Sequence, residues 1–124
     1  MAPIFAPLVL LGAGHMGGAL IDGWSFKAVI APPDLLILDP APGEAARRAA
    51  GKGARLDPSD EDLAAARAAV LAVRPQGWRK VASDLARRLP ADATVISIMA
   101  GVPLAQIAAL FAPRPVCRVM PNLP

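Results

Sequence analysis

A chain of 124 residues, 55% of them hydrophobic, is long enough to form one domain with a single compact core. Its formal charge of +3 comes from 13 basic residues spread along the chain, with no cationic block of the kind that binds nucleic acid, so a small anionic ligand fits better than DNA or RNA. One Cys and one His exclude an internal disulfide and supply no ligand set for structural zinc, so no metal is expected and a reducing cytoplasm is the expected compartment.

The run from Ile4 to Ala13 is apolar but has no basic leader, and Gly14 and His15 break it well short of membrane length. Neither export nor a membrane anchor is expected. The 14 prolines and 10 glycines punctuate apolar runs and read as turns.

In chain order, Leu8 to Leu11 reads as a first strand, followed by the turn Gly12-Ala13-Gly14-His15-Met16-Gly17 and a helix from about Met16 to Phe26. Pro32 and Pro33 end that connection. Leu35 to Leu38 is a second strand, Asp39 to Gly43 a Pro-rich turn, and Glu44 to Ala50 a short helix closed by Gly51. Ala54 to Leu56 is a brief third strand. Ser59 is placed to cap the next helix, because Asp60, Glu61 and Asp62 put negative charge where the helix dipole favours it.

Ala69 to Val73 reads as a buried fourth strand. Trp78, Val81, Ala82, Leu85 and Leu89 then form the inner stripe of a helix, which directs Arg79, Lys80, Arg87 and Arg88 to solvent. Thr94 to Ile98 is the fifth strand, Leu104, Ile107, Ala108 and Phe111 line a further helix, and Val116 to Met120 is the sixth strand. Short Val/Ile/Leu runs alternating with alanine-rich helical segments are the pattern of an α/β fold: a Rossmann-type, doubly wound parallel sheet of about six strands with helices on both faces.

The glycine turn carries the chemistry. It follows a strand, opens a helix and lies inside a strand-helix-strand unit of the required length, which turns a weak Gly-x-Gly-x-x-Gly match into a specific one. Gly12 permits the tight turn, Gly14 lets a pyrophosphate approach the backbone, and Gly17 lets the helix pack against the strand. The helix N-terminus supplies about half a positive charge there, so no lysine is needed. Asp39 ends the second strand about 20 residues on, where a carboxylate accepts the adenosine ribose hydroxyls and leans the choice between NAD and NADP toward NAD. Initiation of the Asp39-Pro40 turn is an alternative that stays open. Arg47 and Arg48 lie too far into the next helix to be good partners for a 2′-phosphate.

His15 occupies a variable slot of the turn and is expected to line the cofactor; no orienting partner marks it as an acid or base, and no catalytic residue is named. Met16 reads as helix core, and Cys117 as a small packed side chain.

Three further segments narrow the reading: Leu71-Ala72-Val73-Arg74-Pro75-Gln76, Val95 to Val102 with Met99-Ala100-Gly101, and Arg118-Val119-Met120-Pro121-Asn122. Together with Gly-x-Gly-x-Met-Gly, and in this order, they resemble pyrroline-5-carboxylate reductase along essentially the whole chain. The resemblance implies hydride transfer from a nicotinamide cofactor to the C=N carbon of a cyclic imine, giving proline. It places Ala72, Val73, Arg74 and Pro75 beside the cofactor, Ala100 and Gly101 where nicotinamide and substrate need room, and Asn122 near the nicotinamide end. Parallel sheets bind ligands beyond the carboxyl ends of their strands, which is where all of these fall.

Three residues depart from the family pattern: Arg74 where lysine is common, Leu123 where a small hydroxyl residue is usual, and Asp39 where many relatives carry a small polar residue suited to NADP. The family continues into a helical domain that forms the homo-oligomer and supplies most of the imine pocket. Residues 1–124 are therefore expected to be the dinucleotide-binding domain alone, inactive by itself and dependent on that second domain for pyrroline-5-carboxylate. A non-catalytic dinucleotide-binding module and a reductase of another imine are the competing readings. Short-chain dehydrogenases are disfavoured because the chain has no Tyr, and no nucleophile-histidine pair supports a hydrolase.

Overall fold

In the computed structural model, which describes residues 3–120, the apolar runs become six parallel strands. These are β1 (Leu8–Leu11), β2 (Leu35–Leu38), β3 (Arg55–Leu56), β4 (Ala68–Leu71), β5 (Thr94–Ser97) and β6 (Val116–Arg118). The helices are α1 (His15–Lys27), α2 (Glu44–Gly51), α3 (Asp60–Ala64), α4 (Trp78–Arg88) and α5 (Leu104–Phe111).

The strand order is β3-β2-β1-β4-β5-β6. β1 and β4 are buried along their whole length because they are central and covered on both faces, which is why they read as unbroken apolar runs. Alternate side chains feed two cores. Leu8, Leu10, Leu35, Ile37, Ala68 and Val70 pack with Ile21 of α1 and Ala45, Ala46 and Ala49 of α2. Val9, Leu11, Leu36, Ala69, Leu71 and Val95 pack with Leu63 of α3, Trp78, Ala82 and Leu85 of α4, and Ile107 and Phe111 of α5. The chain moves one way across the sheet from β1 to β3 and the other way from β4 to β6, so a crevice opens at the carboxyl ends of β1 and β4.

Ser59 caps α3 as expected: its Oγ accepts the Asp62 amide at 3.1 Å, and the Asp62 carboxylate accepts the Ser59 amide at 3.1 Å. That bond to the Ser59 amide is the main reason the Asp62 carboxyl titrates below its usual range; Arg55, which also bonds it, adds to the effect.

Several expectations are corrected. β4 ends at Leu71 rather than Val73, β5 at Ser97 rather than Ile98, and β6 at Arg118 rather than Met120, so the chemistry-bearing segments lie in the loops just beyond the strands. Gly51 belongs to α2; the left-handed position is Gly53, with φ 114°, where an added Cβ would stand 3.1 Å from Pro33. Val81 is 38% exposed, because it sits at the edge of the stripe that Trp78, Ala82 and Leu85 occupy. Arg88 does not point freely to solvent: its Nε bonds Asp60 at 2.6 Å, tying α4 to α3, and this bond raises its pKa further. Cys117 is exposed, because β6 is an edge strand and α5 packs over its other side against Val116. Met16 is half-buried at the mouth of a cavity instead of in the core.

Candidate functional site

The glycine turn is built by packing at two positions and by openness at a third. Gly12 has φ 94°, and an added Cβ would lie 2.9 Å from the Ala72 carbonyl carbon and oxygen. Backbone conformation and space both exclude a side chain there. At Gly17 an added Cβ would lie 2.2 Å from the Gly12 oxygen, so the first turn of α1 sits directly on the loop that precedes it. Gly14 has φ −79° and nothing within 4 Å of an added Cβ. No packing contact needs glycine at that position, and its bare side faces open space. The start of α1 has no side-chain cap and no acidic residue in its first turn, which leaves its amides and the positive end of its dipole open to an anion.

The end of β2 holds the turn in place. The Gly12 amide donates to the Leu38 carbonyl at 2.8 Å, and the Ala13 amide donates to Asp39 Oδ2 at 2.6 Å. Asp39 Oδ1 accepts the Ala41 amide at 2.8 Å, so the turn-initiating role left open for Asp39-Pro40 is present. On the far side, the buried Ser97 ends β5, and its Oγ accepts the Met99 amide at 3.2 Å. That bond turns the chain into Met99-Ala100-Gly101 over the crevice.

A pocket of about 400 Å³ lies between these elements. Gly12, Gly14, His15, Met16, Asp39, Ala72, Val73, Arg74 and Ala100 line it together with Ile98 and Met99, which the sequence places at the same strand end without giving them a contact with the cofactor. Ala13 and Gly17 are buried beneath it, with the Ala13 amide turned to Asp39 rather than to the cavity. Pro75 and Gly101 are exposed and do not line it; Gly101, with φ 74°, serves the turn instead. Asn122 lies outside the described residues. Arg74 makes no ion pair among the described residues and keeps its guanidinium available.

The pocket continues sideways. A cleft of about 240 Å³ shares Gly12, Asp39, Val73 and Arg74 with it and adds Leu38, Pro40, Gln76, Gly77 and Val81. Beyond lies a larger cavity of about 730 Å³ with an apolar lining from Leu11, Leu38, Pro40, Pro42, Leu56 and Val81 and a charged rim from Asp57, Lys80, Asp84 and Arg87. The three form one trough along the carboxyl ends of the strands. Lys80 and Arg87 lie on the solvated face of α4 as expected, and both also border the larger cavity, beside Val81. Only Val81, apolar at the edge of the helical stripe, hints at this wall in the sequence.

The strand order 3-2-1-4-5-6 and the glycine turn at its switch point define a Rossmann-type α/β domain. Residues 7–101 match the family model described as NADP oxidoreductase coenzyme F420-dependent, and the chain belongs to that family. It is 37% identical over 121 residues to the pyrroline-5-carboxylate reductase of Pseudomonas aeruginosa, covering 94% of this chain and 43% of that protein. It is 33% identical over 116 residues to the Escherichia coli pyrroline-5-carboxylate reductase, covering 92% and 43%. The chain thus spans less than half the length of these curated relatives.

Among solved structures, a Plasmodium falciparum pyrroline carboxylate reductase with NADP bound superposes with a TM-score of 0.78 at 22% identity, covering 96% of this chain and 43% of that one. A pyrroline-5-carboxylate reductase from Coxiella burnetii gives 0.80 at 21% identity, covering 97% and 45%. Both likenesses concern the fold.

Proposed function

We propose that this chain is the nicotinamide-dinucleotide-holding domain of a pyrroline-5-carboxylate reductase. The observation that carries the reading is Gly14: a glycine that no packing contact requires, bare toward the trough at an uncapped helix start. A pyrophosphate needs that close approach. Ala72, Val73, Arg74 and Ala100, with Met99, line the end of the trough suited to nicotinamide, and Leu38, Pro40 and Val81 provide the apolar walls of the adenosine end. Arg74 adds a cation beside the phosphates. Gly101 and Pro75 shape the loops around this end, and the family resemblance assigns Asn122 a polar contact with the nicotinamide.

When bound, the dinucleotide supplies a hydride for the C=N carbon of a cyclic imine, the product being L-proline. The chain's contribution is to hold and orient, which is where much of such rate enhancement originates. The Asp39 charge in the trough disfavours a 2′-phosphate, so NADH is the preferred form. Residues 1–124 act as one domain that requires a second, imine-binding and oligomer-forming part for turnover, in a cytoplasmic setting.

Calorimetric titration of the folded chain with NADH and NADPH tests the reading. Binding of NADH, with NADPH weaker, is the expected result; binding of neither overturns it. Reduction of pyrroline-5-carboxylate at enzymatic rates by residues 1–124 alone would overturn the need for a second part. A dinucleotide-binding module without catalysis is the second reading, favoured by the absence, among the described lining residues, of a titratable group with an orienting partner near Ala100.

A further inference from the structure

Both oxygens of the Asp39 carboxylate are engaged by backbone amides, Oδ2 by Ala13 at 2.6 Å and Oδ1 by Ala41 at 2.8 Å. The preceding residue, Leu38, takes the Gly12 amide through its carbonyl at 2.8 Å. The end of β2 therefore grips two consecutive amides of the glycine turn, across 26 residues of sequence. Ala13 as a whole residue is 1% exposed, so its amide has little access to solvent if Asp39 is removed, and an unsatisfied buried donor is costly.

We propose that Asp39 is a positioning residue that fixes the Ala13 peptide, and with it the path from Gly12 to Gly14, before any ligand arrives. This rests on reading the trough as a dinucleotide site. A carboxylate oxygen has two lone pairs, so the atoms that clamp the turn can still accept ribose hydroxyls. One side chain thus serves both cofactor selectivity and phosphate-turn geometry. A substitution that removes its charge to admit a 2′-phosphate also loosens the turn, unless the replacement keeps an acceptor toward Ala13.

Asp39→Ser and Asp39→Asn separate these roles. Serine is too short to reach the Ala13 amide, whereas asparagine retains one carbonyl oxygen for it, though its NH2 group cannot accept the Ala41 amide. Amide hydrogen exchange, followed by NMR on the 124-residue chain without dinucleotide, is the measurement. Asp39→Ser is expected to lower Ala13 protection by about tenfold or more, the size of a lost charge-assisted bond, while Asp39→Asn keeps most of it. In subsequent titrations both variants shift the NADH-to-NADPH ratio toward NADPH, and NADH affinity falls further in the serine variant than in the asparagine one.

Unchanged Ala13 protection in Asp39→Ser, or equal NADH affinity in the two variants, would overturn the proposal. If the unsubstituted chain binds neither dinucleotide, the functional reading fails while the exchange experiment still decides whether Asp39 clamps the turn.

Discussion

The two ends of the trough are made of different materials. The glycine-turn end is shaped by backbone: Gly12 in a left-handed conformation, Gly17 pressed on the Gly12 carbonyl, and Gly14 bare to the cavity. The α4 end is shaped by side chains from β1, β2, β3 and α4, contributed by Leu11, Leu38, Leu56 and Val81 with Lys80, Asp84 and Arg87 on the rim. A backbone-built end constrains residue type position by position. A side-chain-built end constrains only the sum, so many sequences can line it.

Substitutions in the glycine turn should expose this contrast most sharply. Gly17→Ala pushes a methyl group into the Gly12 oxygen at 2.2 Å, and a loss of about 3 kcal/mol or more is expected in chemical denaturation. Gly12→Ala combines left-handed strain with overpacking, for about 2–4 kcal/mol. Gly14→Ala meets nothing within 4 Å and should cost no more than about 1 kcal/mol, and yet weaken dinucleotide binding about tenfold. If Gly14→Ala costs more stability than that, the division between packing and ligand-facing glycines is wrong.

At the α4 end the expected effect is smaller and confined to binding. Val81 is 38% exposed, so Val81→Trp should fold normally while filling the cleft between the pocket and the larger cavity. NADH affinity should fall by about fivefold to tenfold, an effect of 1–1.4 kcal/mol, whereas a nicotinamide mononucleotide should bind as before. Equal loss for both ligands would place adenosine elsewhere.

The smallest effect is remote from the trough. Ser59→Ala removes the cap of α3 and should cost about 1 kcal/mol. The Asp62 carboxyl, lowered in the folded state, contributes stability that is present above its ordinary value of 3.8 and is lost as pH falls through the lowered one. A denaturation series below pH 5 should therefore show a smaller acid-induced loss in Asp62→Asn than in the unsubstituted chain.

Much of the fold was legible in the sequence because it is imposed locally. The short apolar runs at Leu8–Leu11, Leu35–Leu38 and Thr94–Ser97 mark strands, and the charges after Ser59 mark a helix start. The strand ends were less legible, since Ala72, Val73 and Ile98 are apolar enough to extend a strand and only pairing with neighbours decides where the ladder stops.

Within the site, Gly12 and Gly17 were readable because glycine is required wherever a side chain would be strained or blocked, and Gly14 was readable from its spacing between them. Asp39 was half-readable: its place after β2 implied a carboxylate in the trough, but nothing in the sequence shows that the Ala13 amide comes to it. Lys80 and Arg87 are solvated as their spacing implies, but Val81 is not on the inner face, and nothing in helical spacing shows that all three border a cavity, because spacing gives the angle around α4 and not what lies beside it. Cys117 reads as packed in an apolar strand and is exposed because β6 lies at the edge. The sequence by itself determined the elements and the turn, through constraints that act within a few residues. Only the tertiary structure decided the clamp, the α4 wall and the open edge, because each depends on the strand order that brings distant segments side by side.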